Sequence, residues 1–164
     1  MAKFSFFGRR LALALGICAC SPTTPARTEE PVIVADAKKS AEWIAQALSQ
    51  SGYKADFTIA SLSELDRFFD EHAPNGAPIE SGLLSDRLGN KIFSIGAYVG
   101  ETVLRARKGA WVGDDSDREA EINISIRFED GTIIWPVQRV MKRFKNGRED
   151  GLKEYGAVLT SSEY

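Results

Sequence analysis

Glu121-Ile122-Asn123-Ile124-Ser125-Ile126-Arg127-Phe128, followed at once by Glu129-Asp130-Gly131, is the stretch that separates this chain from an all-helical protein. Apolar and polar residues alternate strictly through it. Ile122, Ile124, Ile126 and Phe128 fall on one side; Glu121, Asn123, Ser125 and Arg127 fall on the other. A period of two predicts a strand with one buried and one wet face. Asp130-Gly131 is a hairpin signal, because glycine supplies the left-handed backbone that tight turns need. Thr132–Trp135 then returns as the partner strand. Pro136 ends it and suits the first turn of a helix, where its missing N–H costs nothing. Upstream, Ala110–Gly113 is a short third strand, joined to the second by the acidic loop Asp114-Asp115-Ser116-Asp117. The expected sheet is an antiparallel meander.

On either side of this sheet the period changes to that of a helix. Ser85–Lys108 is the longest such stretch, with Leu88, Ile92, Ile95, Val99 and Val103 on one face. Gly89, Gly96 and Gly100 interrupt it, each at a cost of up to about 1 kcal/mol relative to alanine. Gly96 and Gly100, one turn apart, clear a strip of surface against which another element can pack closely. Ser61-Leu62-Ser63-Glu64 reads as a capping box. It opens a helix that buries Leu62, Leu65, Phe68 and Phe69 and stops before Pro74. Asp36–Ser51, with Ala37, Ala41, Ile44, Ala45 and Leu48 at helical spacing and Gly52 beyond, is the first helix. After the sheet, Val137, Val140, Met141 and Phe144 carry a helix to Asn146-Gly147. Leu152, Tyr155 and Leu159 mark a last one over Glu149–Leu159. Helices segregated from strands define the α+β class: three N-terminal helices, a three-stranded antiparallel meander, then two C-terminal helices.

The N-terminus reads as a targeting segment. Lys3, Arg9 and Arg10 precede an apolar run, Leu11 to Ala19, far short of the roughly 20 residues that span a bilayer. The run ends in Ile17-Cys18-Ala19-Cys20-Ser21. This resembles the signal peptide and lipobox of bacterial lipoproteins, with an aliphatic residue three before the cysteine and alanine just before it. Cys18 is the competing cysteine, but bulky Ile17 stands where a small residue is wanted. The resemblance implies that residues 1–19 are a signal peptide and that Cys20 is lipidated through its sulfur. Residues 20–31, rich in proline, threonine and charge, then form a tether. Residues 32–164 form a single α+β domain. Ser21, in place of aspartate, resembles the sorting signal for the outer membrane. The expected location is the periplasmic face of that membrane, with the membrane as a partner through the lipid anchor.

Cysteine use and charge narrow the chemistry. If Cys18 leaves with the leader and Cys20 carries lipid, the mature domain has neither a free thiol nor a disulfide. The chain has 21 Lys+Arg against 23 Asp+Glu, and loss of the leader removes only basic residues, so nucleic acid is not an expected partner. The acidic loop resembles a calcium loop in composition alone. Counted from Asp115, the places that require glycine and glutamate hold Ala120 and Ile126. No metal site and no cofactor is expected. His72, the one histidine, lies in the last turn of the second helix, where a cation is favourable. One histidine without a thiol gives little to build a catalytic nucleophile on, and no catalytic residue is assigned.

The densest polar group on and after the glycine-bearing helix is Tyr98, Glu101, Arg105 and Trp111. These four form the candidate binding surface. Glu101 and Arg105 are spaced to pair on one helix face. Glu101 is read either as that surface ion pair, or a structural bond to adjacent backbone, or as a carboxylate at the edge of a cleft.

Gly96-Ala97-Tyr98-Val99-Gly100-Glu101, Trp111, Asp130-Gly131, Pro136 and Asn146-Gly147-Arg148-Glu149-Asp150 together resemble a family of bacterial proteins of unknown function. In that family a G-x-Y-x-G-E helix leads into a β-hairpin and a proline-initiated helix. The resemblance covers roughly Leu62 to Leu159 and implies the fold without implying catalytic residues. Function is reached by elimination. The first reading is a lipid-anchored periplasmic binding module with a protein partner, of the inhibitor or immunity type, acting against an envelope protein. The second is a structural or assembly accessory of the envelope, and the third a carboxylate-based cell-wall hydrolase. An exposed apolar patch would favour the first two; a deep pocket with facing carboxylates would favour the third.

Overall fold

Helix α3 (Leu88–Ala106) is the element around which the others are arranged. Every residue from Ile92 to Gly100 is buried, so α3 is covered on more than one face. Helix α1 (Val32–Gln50) and helix α5 (Pro136–Asn146) both pack against it, α1 more extensively. The computed structural model describes residues 29–161; the expected leader and Cys20 lie outside the described residues. The fold is α+β: helices packed with one small antiparallel sheet. Among the described residues no helix is long and apolar enough to cross a membrane.

Two glycines of α3 show how close that packing is. A Cβ added to Gly96 would lie 2.6 Å from the Cα of Val137 on α5. One added to Gly100 would overlap the Trp111 ring and lie 3.0 Å from Cδ1 of Ile126. The glycine strip thus receives a helix backbone at one position and an indole at the next.

The sheet runs β1 (Gly109–Val112), β2 (Ser125–Phe128), β3 (Ile133–Ile134) in that order. Trp111 pairs with Ile126, and Ile126 with Ile134, which sets all three side chains on the face turned to α3 and the core. The turn beyond β2 is as expected: Gly131 has φ +87°, and the Gly131 N–H donates to the Phe128 carbonyl at 3.0 Å. The strand itself is half the expected length. Ala120–Asn123 forms a helical turn, α4, and leaves Ile122 exposed. The cause is Asp117, whose carboxylate accepts from the Glu119 N–H at 2.9 Å and from the Asn123 side-chain amide at 2.8 Å. Such local bonds compete with a strand ladder and start a turn instead.

Helix ends also differ from expectation, because their caps come from far away. Helix α1 starts at Val32, a turn before Asp36. The Asp115 carboxylate accepts from the N–H groups of Val32 at 2.7 Å and Ile33 at 2.9 Å. A carboxylate there satisfies orphan donors and complements the helix dipole. In front of helix α2 (Leu62–His72) there is no capping box. A 3-10 turn, Ile59–Ser61, runs straight into α2, so Ser61 already has helical φ and ψ. Its hydroxyl donates to the Thr58 carbonyl at 2.7 Å, and Glu64 instead accepts from Arg67 at 2.6 Å. The last helix, α6 (Leu152–Thr160), begins after Gly151 and not at Glu149, which sits in a separate 3-10 turn, Arg148–Asp150. Asp66 of α2 caps α6, accepting from the N–H groups of Leu152 and Lys153, each at 3.0 Å.

The same Asp66 holds α5. Arg143, 2% exposed, donates from Nε to Asp66 at 2.7 Å and from Nη2 to Asp70 at 2.8 Å. Burial pushes the Asp70 carboxyl up, but the bonds from Arg143 and Arg148 outweigh it and hold the group below its ordinary range. A buried cation is tolerated here because it is paired with two carboxylates, and its Nη2 also donates to the Asp66 carbonyl at 2.9 Å.

Candidate functional site

Helix α5 reads Pro-Val-Gln-Arg-Val-Met-Lys-Arg-Phe-Lys-Asn, with four cations and no carboxylate. Partners must therefore come from elsewhere. Arg139 finds Asp150 at 2.8 Å, and Arg143 finds Asp66 and Asp70. Lys142 and Lys145 form no ion pair among the described residues. They stand on the rim of a groove of about 950 Å³ between the start of α3 and the length of α5.

The floor of this groove is apolar: Leu88, Ile92 and Phe93 from α3, Val137 and Phe144 from α5. Ile122 of α4 and Met141 of α5, 37% and 41% exposed, stand at its mouth. Gly76 lines it as well, where its backbone meets α5. A Cβ there would lie 2.7 Å from the Lys145 carbonyl oxygen, and φ is +71°. Gly89, the third α3 glycine, lines the groove too, and a Cβ built on it meets nothing within 4 Å. An apolar concavity of this volume is of the size and character of binding sites, and a contiguous exposed apolar patch is the feature that marks them.

The four residues expected to form a binding surface do not come together as one. Tyr98 is fully buried; its hydroxyl lies 2.6 Å from the Ser61 hydroxyl and accepts from the Phe57 N–H at 3.0 Å. Trp111 is buried as well, and its indole N–H donates to Glu101 at 2.7 Å. Glu101 and Arg105 do not pair. Gly100 lets the Trp111 indole reach Glu101 first. Arg105 donates to Glu42 of α1 at 3.0 Å, with its guanidinium 3.6 Å from the centre of the Phe57 ring. Tyr98, Glu101 and Trp111 join α3 to its neighbours, and only Arg105 faces solvent.

His72 is likewise not the charged helix end its position suggested. Its Nδ1 accepts from the Leu83 N–H at 3.3 Å, and its Nε2 lies 3.0 Å from the Tyr53 hydroxyl. That hydroxyl donates to Glu71, which assigns the ring proton to Nε2. Burial holds the His72 pKa below its ordinary value against the pull of Glu71. Burial and the Glu71 bond push the Tyr53 hydroxyl up to about 12. Both ring nitrogens are engaged inside the protein, so the group ties a loop to α2 and offers no open position for proton transfer. In the acidic loop, Asp114 accepts from the Ser116 N–H at 2.9 Å, Asp115 caps α1 and Asp117 starts α4.

Sequence reasoning used Met141 and Phe144 as apolar positions of the helix after the sheet and did not single out Lys142 or Lys145. The available signal was the charge imbalance of α5, together with an apolar arc wider than one contact requires. No family model matches this chain, and no match was found among curated proteins or solved structures.

Proposed function

We propose that this chain is a lipid-anchored periplasmic binding module whose α3–α5 groove takes the apolar face of a helix flanked by acidic side chains on a protein partner. The observation that carries the reading is the groove itself, apolar on its floor and edged by Lys142 and Lys145. An amphipathic helix laid in an apolar groove is a recurrent mode of recognition, and the lysines select acidic flanks by charge. The partner would be an envelope protein that is held or inhibited through that helix. Hydrolysis by a carboxylate pair gains no support from this groove, whose lining has the single carboxylate Glu121.

The anchor rests on the leader pattern. In this reading residues 1–19 are removed, Cys20 carries the lipid, and the chain sits on the periplasmic face of the outer membrane. In this reading the three N-terminal helices, the meander and the two closing helices belong to one domain, assigned to 32–164. The tether before it extends at most roughly 43 Å. Metabolic labelling with a fatty acid should mark the wild type and not Cys20→Ala; equal labelling of both contradicts the anchor.

The groove is tested in intact cells with a photo-reactive amino acid at Met141 of the full chain. A discrete adduct is expected, mapped to an acid-flanked helix of the partner, and lost when Lys142→Glu and Lys145→Glu are combined. No adduct beyond that from the same probe at exposed Val158 contradicts the reading, as does an adduct indifferent to charge reversal.

A further inference from the structure

We propose that the cleft beside Trp43, on the opposite side of the first turn of α3 from the reach of α5, binds an uncharged saccharide. The cleft measures about 460 Å³ and lies between α1 and the start of α3. Trp43 is 55% exposed on its wall. An indole is the largest apolar side chain and is ordinarily well covered. One left more than half exposed in the wall of a polar cleft can serve as a stacking surface for a ligand that is apolar on its face and polar at its edge. A pyranose ring has that character, with C–H groups on its faces and hydroxyls around its rim.

The groups around the indole suit those hydroxyls. Asp36 and Asp86 accept, Lys39 and Lys91 donate, and Asn90 does both, as a sugar hydroxyl does. The charges balance, since Lys39, Arg87 and Lys91 face Asp36, Asp86 and Glu121 in the same lining. A balanced lining favours a neutral ligand over an anion or a cation. The polar edge is also pre-set. Asp86 accepts from Lys91 and, at 3.3 Å, from Nε of Arg87. This site shares the residues Phe93 and Glu121 with the α3–α5 groove but draws on α1, which that groove does not. The saccharide reading therefore stands without the protein-partner reading.

The test is calorimetric titration of the purified full-length chain with cellotetraose and with its N-acetylglucosamine counterpart, chitotetraose. At least one should bind in the millimolar range or tighter. Trp43→Ala should weaken that binding about tenfold or more, while Trp135→Ala, at another exposed tryptophan, leaves it unchanged. Circular dichroism melts of both variants should match the wild type, because both rings are on the surface. If neither tetrasaccharide binds, if Trp43→Ala binds as well as the wild type, or if both variants lose binding alike, the proposal fails.

Discussion

The first turn and the middle of α3 make opposite uses of the same device. In the middle, Gly96 and Gly100 remove side chains so that Val137 and Trp111 can press against the helix, and no space remains. In the first turn, Gly89 removes a side chain and nothing in the described protein arrives. Helix α5 repeats the contrast around its own axis. Val140 and Arg143 are buried, while Met141 and Lys142 face the groove and solvent. A closed contact on one side of each helix holds the pair together, which lets the other side stay open without collapse. An open apolar groove in a folded domain therefore depends on how firmly its walls are fixed behind.

The firmest fixing is the Arg143 cluster, so its loss should do the most harm. Arg143→Ala removes the shared cation of Asp66 and Asp70 and leaves two carboxylates crowded behind α5. We expect a loss of about 3–5 kcal/mol in urea unfolding. A loss below 1 kcal/mol would mean that the apolar contacts alone position the groove wall. Gly100→Leu comes next. Its side chain would collide with Trp111, break the indole bond to Glu101 and overpack the sheet side of α3. A loss of about 3 kcal/mol is expected, with a red shift of tryptophan emission as Trp111 moves toward water. A neutral outcome would show that α3 is not closed around Gly100 as described.

Smaller effects separate the caps from the core. Asp115→Ala frees two N–H groups at the start of α1 and should cost about 1 kcal/mol. Amide exchange should quicken at Val32 and Ile33 and stay unchanged in α3. His72 gives a dependence on pH. Its folded pKa lies below the value of 6.5 it has when unfolded, so below that value the unfolded chain takes the proton more readily. Stability from this group is complete above that value and declines as pH falls toward the folded pKa. The melting temperature should therefore fall between about pH 7 and pH 5, above the range where Asp70 and Glu71 titrate. His72→Gln should flatten that slope; an unchanged slope would assign it to other groups.

What the sequence disclosed follows from how far each signal reaches. The α+β class, the Gly131 turn and the close approach at Gly96 and Gly100 rest on spacings within a few residues, where geometry is nearly forced. The alternation over 121–128 misled because Asp117, outside the pattern, captures Asn123 and turns the chain before the ladder begins. The pairing of Glu101 with Arg105 was allowed by spacing, yet a partner from another element, Trp111, arrived closer. Asp66 and Leu152 are 86 positions apart, and Asp115 and Val32 are 83 apart. No local pattern marks which of many carboxylates will reach a distant helix end. A groove is harder still, being defined by where neighbours are missing.

The central claim is that the groove between α3 and α5 stands open in the free protein, a surface and not part of the core. Equilibrium urea unfolding of Met141→Lys tests it most directly. An exposed methionine at the mouth of an open groove should accept a lysine with a change within about 0.5 kcal/mol of the wild type. A loss of about 2 kcal/mol or more, the cost of disrupting a buried methionine, would show that the groove is closed in solution and would contradict the account.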